Sequence, residues 1–138
     1  MRFWDSSAVV PLLLNQPASR ELTALARDSG GLAVWWGSIV ECTSAITRTA
    51  RAGVISPGEE TQALTLLTAI AGAWTEVQPA EAVRNTARRL LRVHPLRAAD
   101  AFQLAAALAW ADGAPNLQLV TRDERLAEAA RREGFAVK

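Results

Sequence analysis

An α/β fold, with a central, mostly parallel sheet of about four to five short strands flanked by helices, is what the sequence predicts. Three observations carry this. Short apolar runs alternate along the chain with longer segments of helical spacing, the pattern of a sheet covered on both faces. Residues 32–36, Leu-Ala-Val-Trp-Trp, have the continuous apolar character of a buried strand. Residues 97–111 form an Ala-rich helix that reads apolar nearly all round, which makes it central and buried. At 138 residues the chain is expected to form one domain, 1–138, able to bury a core without disulfides or a structural metal.

Arg2-Phe3-Trp4-Asp5 reads as a first strand running straight into a helical turn over 7–14, with Pro11 tolerated near its start. Leu22, Leu25 and Ala26 share one face of a helix over 18–28, closed by Ser29-Gly30-Gly31. After the strand at 32–36, Gly37-Ser38 opens a helix to about Arg51, with Ile39, Cys42, Ala45 and Ile46 inward, and Gly53 stops it. Ser56-Pro57-Gly58-Glu59-Glu60 starts a strongly apolar helix over 59–72. Trp74 to Val77 is a third strand, Pro79 begins a helix to about Val93, and His94-Pro95-Leu96 breaks it. Asp112 to Asn116 is a loop, 117–120 a strand, 123–133 a helix ended by Gly134, and 135–137 a last short strand.

One cysteine, Cys42, and one histidine, His94, make a disulfide framework, a Cys/His zinc site and a Ser-His-Asp triad poor readings. Fourteen of the 15 cationic residues are arginine, the exception being Lys138, so chemistry that needs a buried amine has no candidate. The net charge is only +1, but residues 1–76 carry −2 and 77–138 carry +3, so the second half is the one to meet a polyanion. No apolar run approaches the ~18 residues of a membrane span, the N-terminus does not read as a signal peptide, and a reducing cytoplasm is the expected compartment.

In a parallel sheet ligands bind beyond the carboxyl ends of the strands, where strand order reverses. Looking there singles out Asp5, Glu41, Asp100 and Asp123, acids from three strand ends and the start of the central helix. Each has a plainer explanation. Ser38 and Glu41 fit a capping box, Asp5 and Asp123 fit helix N-caps, and Asp100 could complement a helix dipole. Capping does not require an acid at all four places, however, since Ser, Thr and Asn serve as well. Converging carboxylates with no lysine or histidine to neutralise them repel, and a hard cation such as Mg²⁺ or Mn²⁺ resolves this with oxygen ligands. The cluster therefore predicts metal-dependent phosphodiester hydrolysis.

Asp5-Ser6-Ser7, Ser38-Ile39-Val40-Glu41, Leu96-Arg97-Ala98-Ala99-Asp100-Ala101 and Leu119-Val120-Thr121-Arg122-Asp123-Glu124 resemble the four acidic motifs of the PIN domain, over residue 3 to about 130. In size and motif order the chain is most similar to the VapC-type toxins of bacterial toxin–antitoxin pairs. The resemblance implies a PIN-like fold and a Mg²⁺- or Mn²⁺-dependent ribonuclease, commonly a homodimer, silenced by a cognate antitoxin. It implies Asp5 and Asp100 as the metal ligands in closest contact, Glu41 and Asp123 completing the cluster directly or through water, and Ser7 and Thr121 supporting them. Glu124 is read as supporting or solvated.

Competing readings meet named positions. A phosphoacceptor receiver domain lacks its lysine here, and an aspartate-nucleophile phosphatase would carry a second Asp where Ser7 stands. A PIN-like module that binds RNA or protein without cutting is disfavoured by four intact acids, and a housekeeping RNA-processing nuclease differs only in having no antitoxin. Arg84, Arg88, Arg92 and Arg97, with Arg89, form an acid-free basic run that suits phosphate, and Arg48 lies two turns beyond Glu41 on the same face. His94 reads as a loop residue, Trp35 and Trp36 as packed, and Cys42 as a small buried hydrophobe. The segment Val9 to Leu14 reads as too apolar for a peripheral helix, and Leu64, Leu66, Leu67 and Ile70 cannot all face one core, which predicts a protein partner over this surface.

Overall fold

The computed structural model describes residues 1–115 and 117–138, so Asn116 of the expected loop lies outside the described residues. Strands β1 (Arg2–Trp4), β2 (Leu32–Trp35), β3 (Thr75–Val77), β4 (Gln118–Val120) and β5 (Ala136–Val137) form one sheet in the order β3-β2-β1-β4-β5. Every pairing is parallel, with Phe3 opposite both Ala33 and Leu119. The helices are α1 (Ser6–Leu13), α2 (Ser19–Asp28), α3 (Ser38–Arg51), α4 (Pro57–Ala71), α5 (Glu81–Val93), α6 (Ala98–Ala111) and α7 (Glu124–Arg132). No helix among the described residues is long and apolar enough to cross a membrane.

The two-residue period of a strand explains how so short a sheet sustains two cores. Phe3, Ala33 and Leu119 point to one face, where Val83, Leu90, Leu104, Leu126 and Ala130 of α5, α6 and α7 cover them. Trp4, Val34 and Val120 point to the other, against Val9, Leu22, Ile46 and Leu67 of α1 to α4. The apolar α1 is therefore no peripheral helix. Val9, Pro11, Leu13 and Leu14 are buried, and of the expected surplus only Leu66 on α4 stands clearly exposed. Pro11 falls late in α1, where its missing N–H removes the bond to the Ser7 carbonyl, and the helix ends two residues later.

Helix α6 is central from Ala101 to Ala107, all buried except the partly buried Phe102, whereas Ala98 and Ala99 in its first turn are open to solvent. The break at His94 also differs from the simple loop expected. The ring is buried, Nε2 lies 2.8 Å from Glu133 Oε1, and Arg89 donates to both Glu133 oxygens at 3.1 and 2.8 Å. This ties the end of α5 to the end of α7, and the Arg89 guanidinium holds the Glu133 carboxyl below the usual carboxylate range.

Capping is selective. The box expected at Ser38 and Glu41 does not form, because Gly37 is the N-cap of α3 and Glu41 turns elsewhere. A complete box forms at α4, where Ser56 Oγ accepts from the Glu59 N–H and Glu59 Oε1 accepts from the Ser56 N–H, both at 3.1 Å. Ser56→Ala is expected to cost about 1 kcal/mol and to lower the thermal midpoint by about 3 °C. A calorimetric scan checks this, and an unchanged midpoint would show that packing alone fixes the start of α4.

Candidate metal centre

The chain leaves β1 for β2 and β3 on one side and returns through β4 and β5 on the other, so the order reverses between β1 and β4. The carboxyl ends of those two strands deliver Asp5 and Thr121 to the crevice that this reversal opens. Asp5 is the N-cap of α1, and its own N–H donates to the Val120 carbonyl at 3.0 Å, so the last ladder bond of the sheet sets its position. Its side chain is 3% exposed.

Asp5 Oδ2 takes three donors, the Ser7 N–H at 3.2 Å, the Ser7 hydroxyl, and the Thr121 hydroxyl at 2.9 Å. Ser7 Oγ accepts the Arg122 N–H at 2.8 Å, and Thr121 Oγ1 accepts the Asp123 N–H at 3.0 Å. Ser7 and Thr121 thus hold Asp5 and shape the turn that presents Asp123. Asp5 Oδ1 has only the Ser6 hydroxyl at 3.4 Å, and that hydroxyl has a closer acceptor in Glu41 Oε2 at 2.7 Å. One oxygen of a buried carboxylate is left facing the crevice.

Glu41 projects from the first turn of α3 into the same crevice. Its second oxygen accepts from Gln103 Nε2 at 3.2 Å, and the same amide donates to Ser38 Oγ at 3.0 Å. Ser38 therefore serves Gln103 rather than capping α3. Asp100 is half-buried at the start of α6, with the backbone N–H of Arg97 as a donor. Asp123 caps α7, accepting from the Leu126 N–H at 2.8 Å. Asp5 and Asp123 thus do act as N-caps, as the plainer explanation has it, while Asp100 feels the charge of Asp123 and in turn acts on Asp5 and Glu41.

Electrostatics ties the four together. Burial pushes the Asp5 carboxyl above the ordinary range against the pull of its Ser7 and Thr121 donors, and the Asp100 charge pushes it further. Burial also raises Glu41, where the Ser6 bond opposes it and the charges of Asp5 and Asp100 add to it. Asp100 is raised by burial and then by Asp123, with Arg97 and Arg125 pulling the other way. Beside them burial pushes the Cys42 thiol up to about 12, with Glu41 and Asp5 adding to it, so this cysteine is an inert core residue. No side-chain cation pairs with Asp5 or Glu41 among the described residues.

This donor set suits a hard divalent cation, with hydroxyls bracing carboxylate oxygens and one Asp5 oxygen facing the crevice. Among the described residues no three ligating groups stand close enough to form a finished cage. That spacing fits an ion held by one or two carboxylates and several waters, the usual habit of Mg²⁺.

The arginines separate into groups. Arg48 lines an open groove of about 440 Å³ together with Ser6, Ser7, Val40 and Glu41, so the groove runs directly to the acids. Arg97 lies beside Asp100. Arg84 pairs with Glu81 and lines a groove with Trp35 and Phe102. Arg88 and Arg92 share an open cavity of about 810 Å³ with Arg89, on the Glu133 end of α7, so they do not join the acids. Glu124 is exposed. Gln103 and Ser6 escaped the sequence reading. Gln103 had a signal, a lone amide in an Ala-rich helix three residues after Asp100 and hence on the same face.

The PIN domain family model matches residues 2–132. The chain belongs to the PIN domain family. Among solved structures, a toxin-antitoxin complex from Klebsiella pneumoniae is similar at 16% identity, over 92% of this chain and 91% of that one, with a TM-score of 0.66. FitAcB from Neisseria gonorrhoeae matches at 20% identity over 99% and 96%, with a TM-score of 0.63. PAE2754 from Pyrobaculum aerophilum matches at 19% over 97% and 81%, with a TM-score of 0.68. At these identities the likeness is one of fold. No curated protein matches the chain.

For this PIN domain the raised carboxyls give a stability prediction of definite sign. The folded chain holds these protons more tightly than the unfolded chain, so the contribution is full below the ordinary carboxylate range and lost as the pH rises through the raised values. In EDTA at neutral pH, Asp100→Asn is expected to melt a few degrees above wild type, with the gap closing in acid. Calorimetry over pH checks this, and a variant that melts several degrees lower at neutral pH would show that the bond to the Arg97 N–H outweighs repulsion.

Proposed function

We propose that the protein is a Mg²⁺- or Mn²⁺-dependent endoribonuclease, the toxin of a toxin–antitoxin pair, acting in the cytoplasm as a homodimer. The observation that carries the catalytic part is the buried Asp5 carboxylate, coupled to the charges of Glu41 and Asp100, with Asp123 beside Asp100, and lacking a side-chain cation among the described residues. Asp5 and Asp100 would hold the metal most closely, with Glu41 and Asp123 completing its surroundings directly or through water. When bound, such a cation supplies a more acidic water and stabilises charge on a phosphodiester. Ser7 and Thr121 keep Asp5 oriented, Gln103 and Ser6 keep Glu41 turned inward, and Arg48 in the adjoining groove meets substrate phosphate.

Two observations support the partner. The similar structure from Klebsiella pneumoniae is a toxin-antitoxin complex. An open groove of about 490 Å³, lined in part by Leu13, Leu14, Val54, Ile55 and Leu66, gathers apolar side chains from the end of α1, the segment after α3 and one face of α4, and Val54 there is 73% exposed. An antitoxin helix laid in this groove would bury them.

The purified chain is expected to cleave RNA with Mg²⁺ or Mn²⁺ and to stop with EDTA. Asp5→Asn and Asp100→Asn should fold yet fall by more than about a hundredfold, since each removes a charge that the cation needs. Gel assays of RNA integrity test this, and undiminished cleavage in chelator would overturn it. Light scattering tests the dimer, and a strictly monomeric chain with no inhibitory neighbouring gene product would remove the toxin part of the reading.

A further inference from the structure

We propose that Trp36 is a base-stacking residue, against which a base of single-stranded RNA packs beside the acidic cluster. The inference rests on the ribonuclease reading above and states where its substrate is held. Trp36 stands where β2 gives way to α3. Because the strands are parallel, this is the same sheet edge that carries Asp5 and Thr121. The residue was expected to pack, yet it is 50% exposed.

An exposed indole binds well only if it is already held in place. The Trp36 N–H donates to the Val77 carbonyl at 3.0 Å, which anchors its backbone to the sheet. Its ring meets Trp35 edge-on, with centroids 6.4 Å apart and planes at 72°. Trp35 lies flat on Phe102, at 5.5 Å and 3°, and Phe102 follows Asp100 by two residues on α6. Gly37 is part of this mounting, since a Cβ there would fall 2.6 Å from Trp35 Nε1. The ring therefore rests against Trp35, which is itself stacked on Phe102 of the helix that carries Asp100.

A short path also leads to Glu41. Two residues after Trp36, Ser38 Oγ accepts from the Gln103 amide that holds Glu41. Arg84 lines a groove of about 370 Å³ against Trp35 and Phe102, and Arg97 and Arg125 lie beside Asp100. An exposed aromatic face on the edge of the sheet, with Arg84 against its supporting Trp35 and two more arginines beside Asp100, matches the two parts of a nucleotide, a base to stack and phosphates to pair. The strand must be single, because duplex bases already stack on one another. A protein partner fits less well, since its hot spots want an apolar surround and the sheet edge that carries this ring also carries the polar Asp5 and Thr121.

The test is fluorescence anisotropy of a short labelled single-stranded RNA in EDTA, so that binding is read without cleavage. Trp36→Ala is expected to weaken binding about tenfold, the usual effect of losing one base–aromatic stack, and Trp36→Phe to restore most of it. The same RNA with abasic residues should bind wild type about as weakly as intact RNA binds Trp36→Ala, and the variant should not weaken it further. Thermal melts of both variants should stay within a few degrees of wild type, since half of the ring is exposed.

Wild-type affinity in Trp36→Ala, a further loss of about tenfold when the variant replaces wild type on abasic RNA, or no RNA binding by the wild-type chain would each overturn the proposal. So would light scattering in which Trp36→Ala splits a dimer, because the ring would then belong to a protein contact. Failure of the nuclease reading looks different, as RNA that binds through Trp36 but is never cut with Mg²⁺ or Mn²⁺.

Discussion

The Asp5 carboxylate is buried at the point where β1 and β4 part, and most of the architecture around it follows from the need to make that burial tolerable. A carboxylate out of water demands donors or a cation. The fold meets the first demand on one oxygen only, with the Ser7 backbone and hydroxyl and the Thr121 hydroxyl. Those same groups bind the Arg122 and Asp123 N–H groups, so the turn after β4 is set by its service to Asp5. The other oxygen faces a crevice whose remaining walls are acidic.

Satisfying a single group thus builds a site. Any arrangement that ended β1 and β4 side by side would need something to close the gap between their carboxyl ends, and an apolar plug would have served stability better. The chain instead brings in Glu41 on α3 and Asp100 on α6, held at their own bases by Gln103, Ser6 and the Arg97 N–H. The carboxyls of Asp5, Glu41 and Asp100 are all raised by burial and by a neighbouring acid, so the metal-free site is poised to take a proton or a cation. The two hydrophobic cores on either face supply the rigidity against which this repulsion is held.

The charged groups elsewhere divide by the same logic. Glu133, at the far end of α7 from Asp123, is surrounded by Arg89 and His94, and its carboxyl lies below the ordinary range. One end of that helix therefore carries an acid with the Arg89 guanidinium in place and the other an acid beside Asp100. The first fastens α5 to α7, whereas the second leaves an attraction for something from outside the chain.

Much of the fold was legible because its signals are local. Apolar runs between helical segments announced five strands, and Ser56-Pro57-Gly58-Glu59 announced the start of α4, since strand burial and capping depend on near neighbours. The four acids were legible too, as carboxylates at strand ends and helix starts. What they do with their lone pairs was not. Ser38 and Glu41 have the spacing of a capping box, yet both turn to Gln103, 62 or more residues away, because a buried amide on α6 competes for them and only the packing of α6 against β2 brings it there. Trp36 and His94 make the same point in opposite directions. Composition predicts a packed tryptophan and a loop histidine, and the structure exposes the one and buries the other. The sequence by itself determined which residues form strands and helices and which acids stand at their ends. Tertiary structure decided which oxygen meets which donor, because burial and long-range hydrogen bonding depend on neighbours that local spacing does not contain.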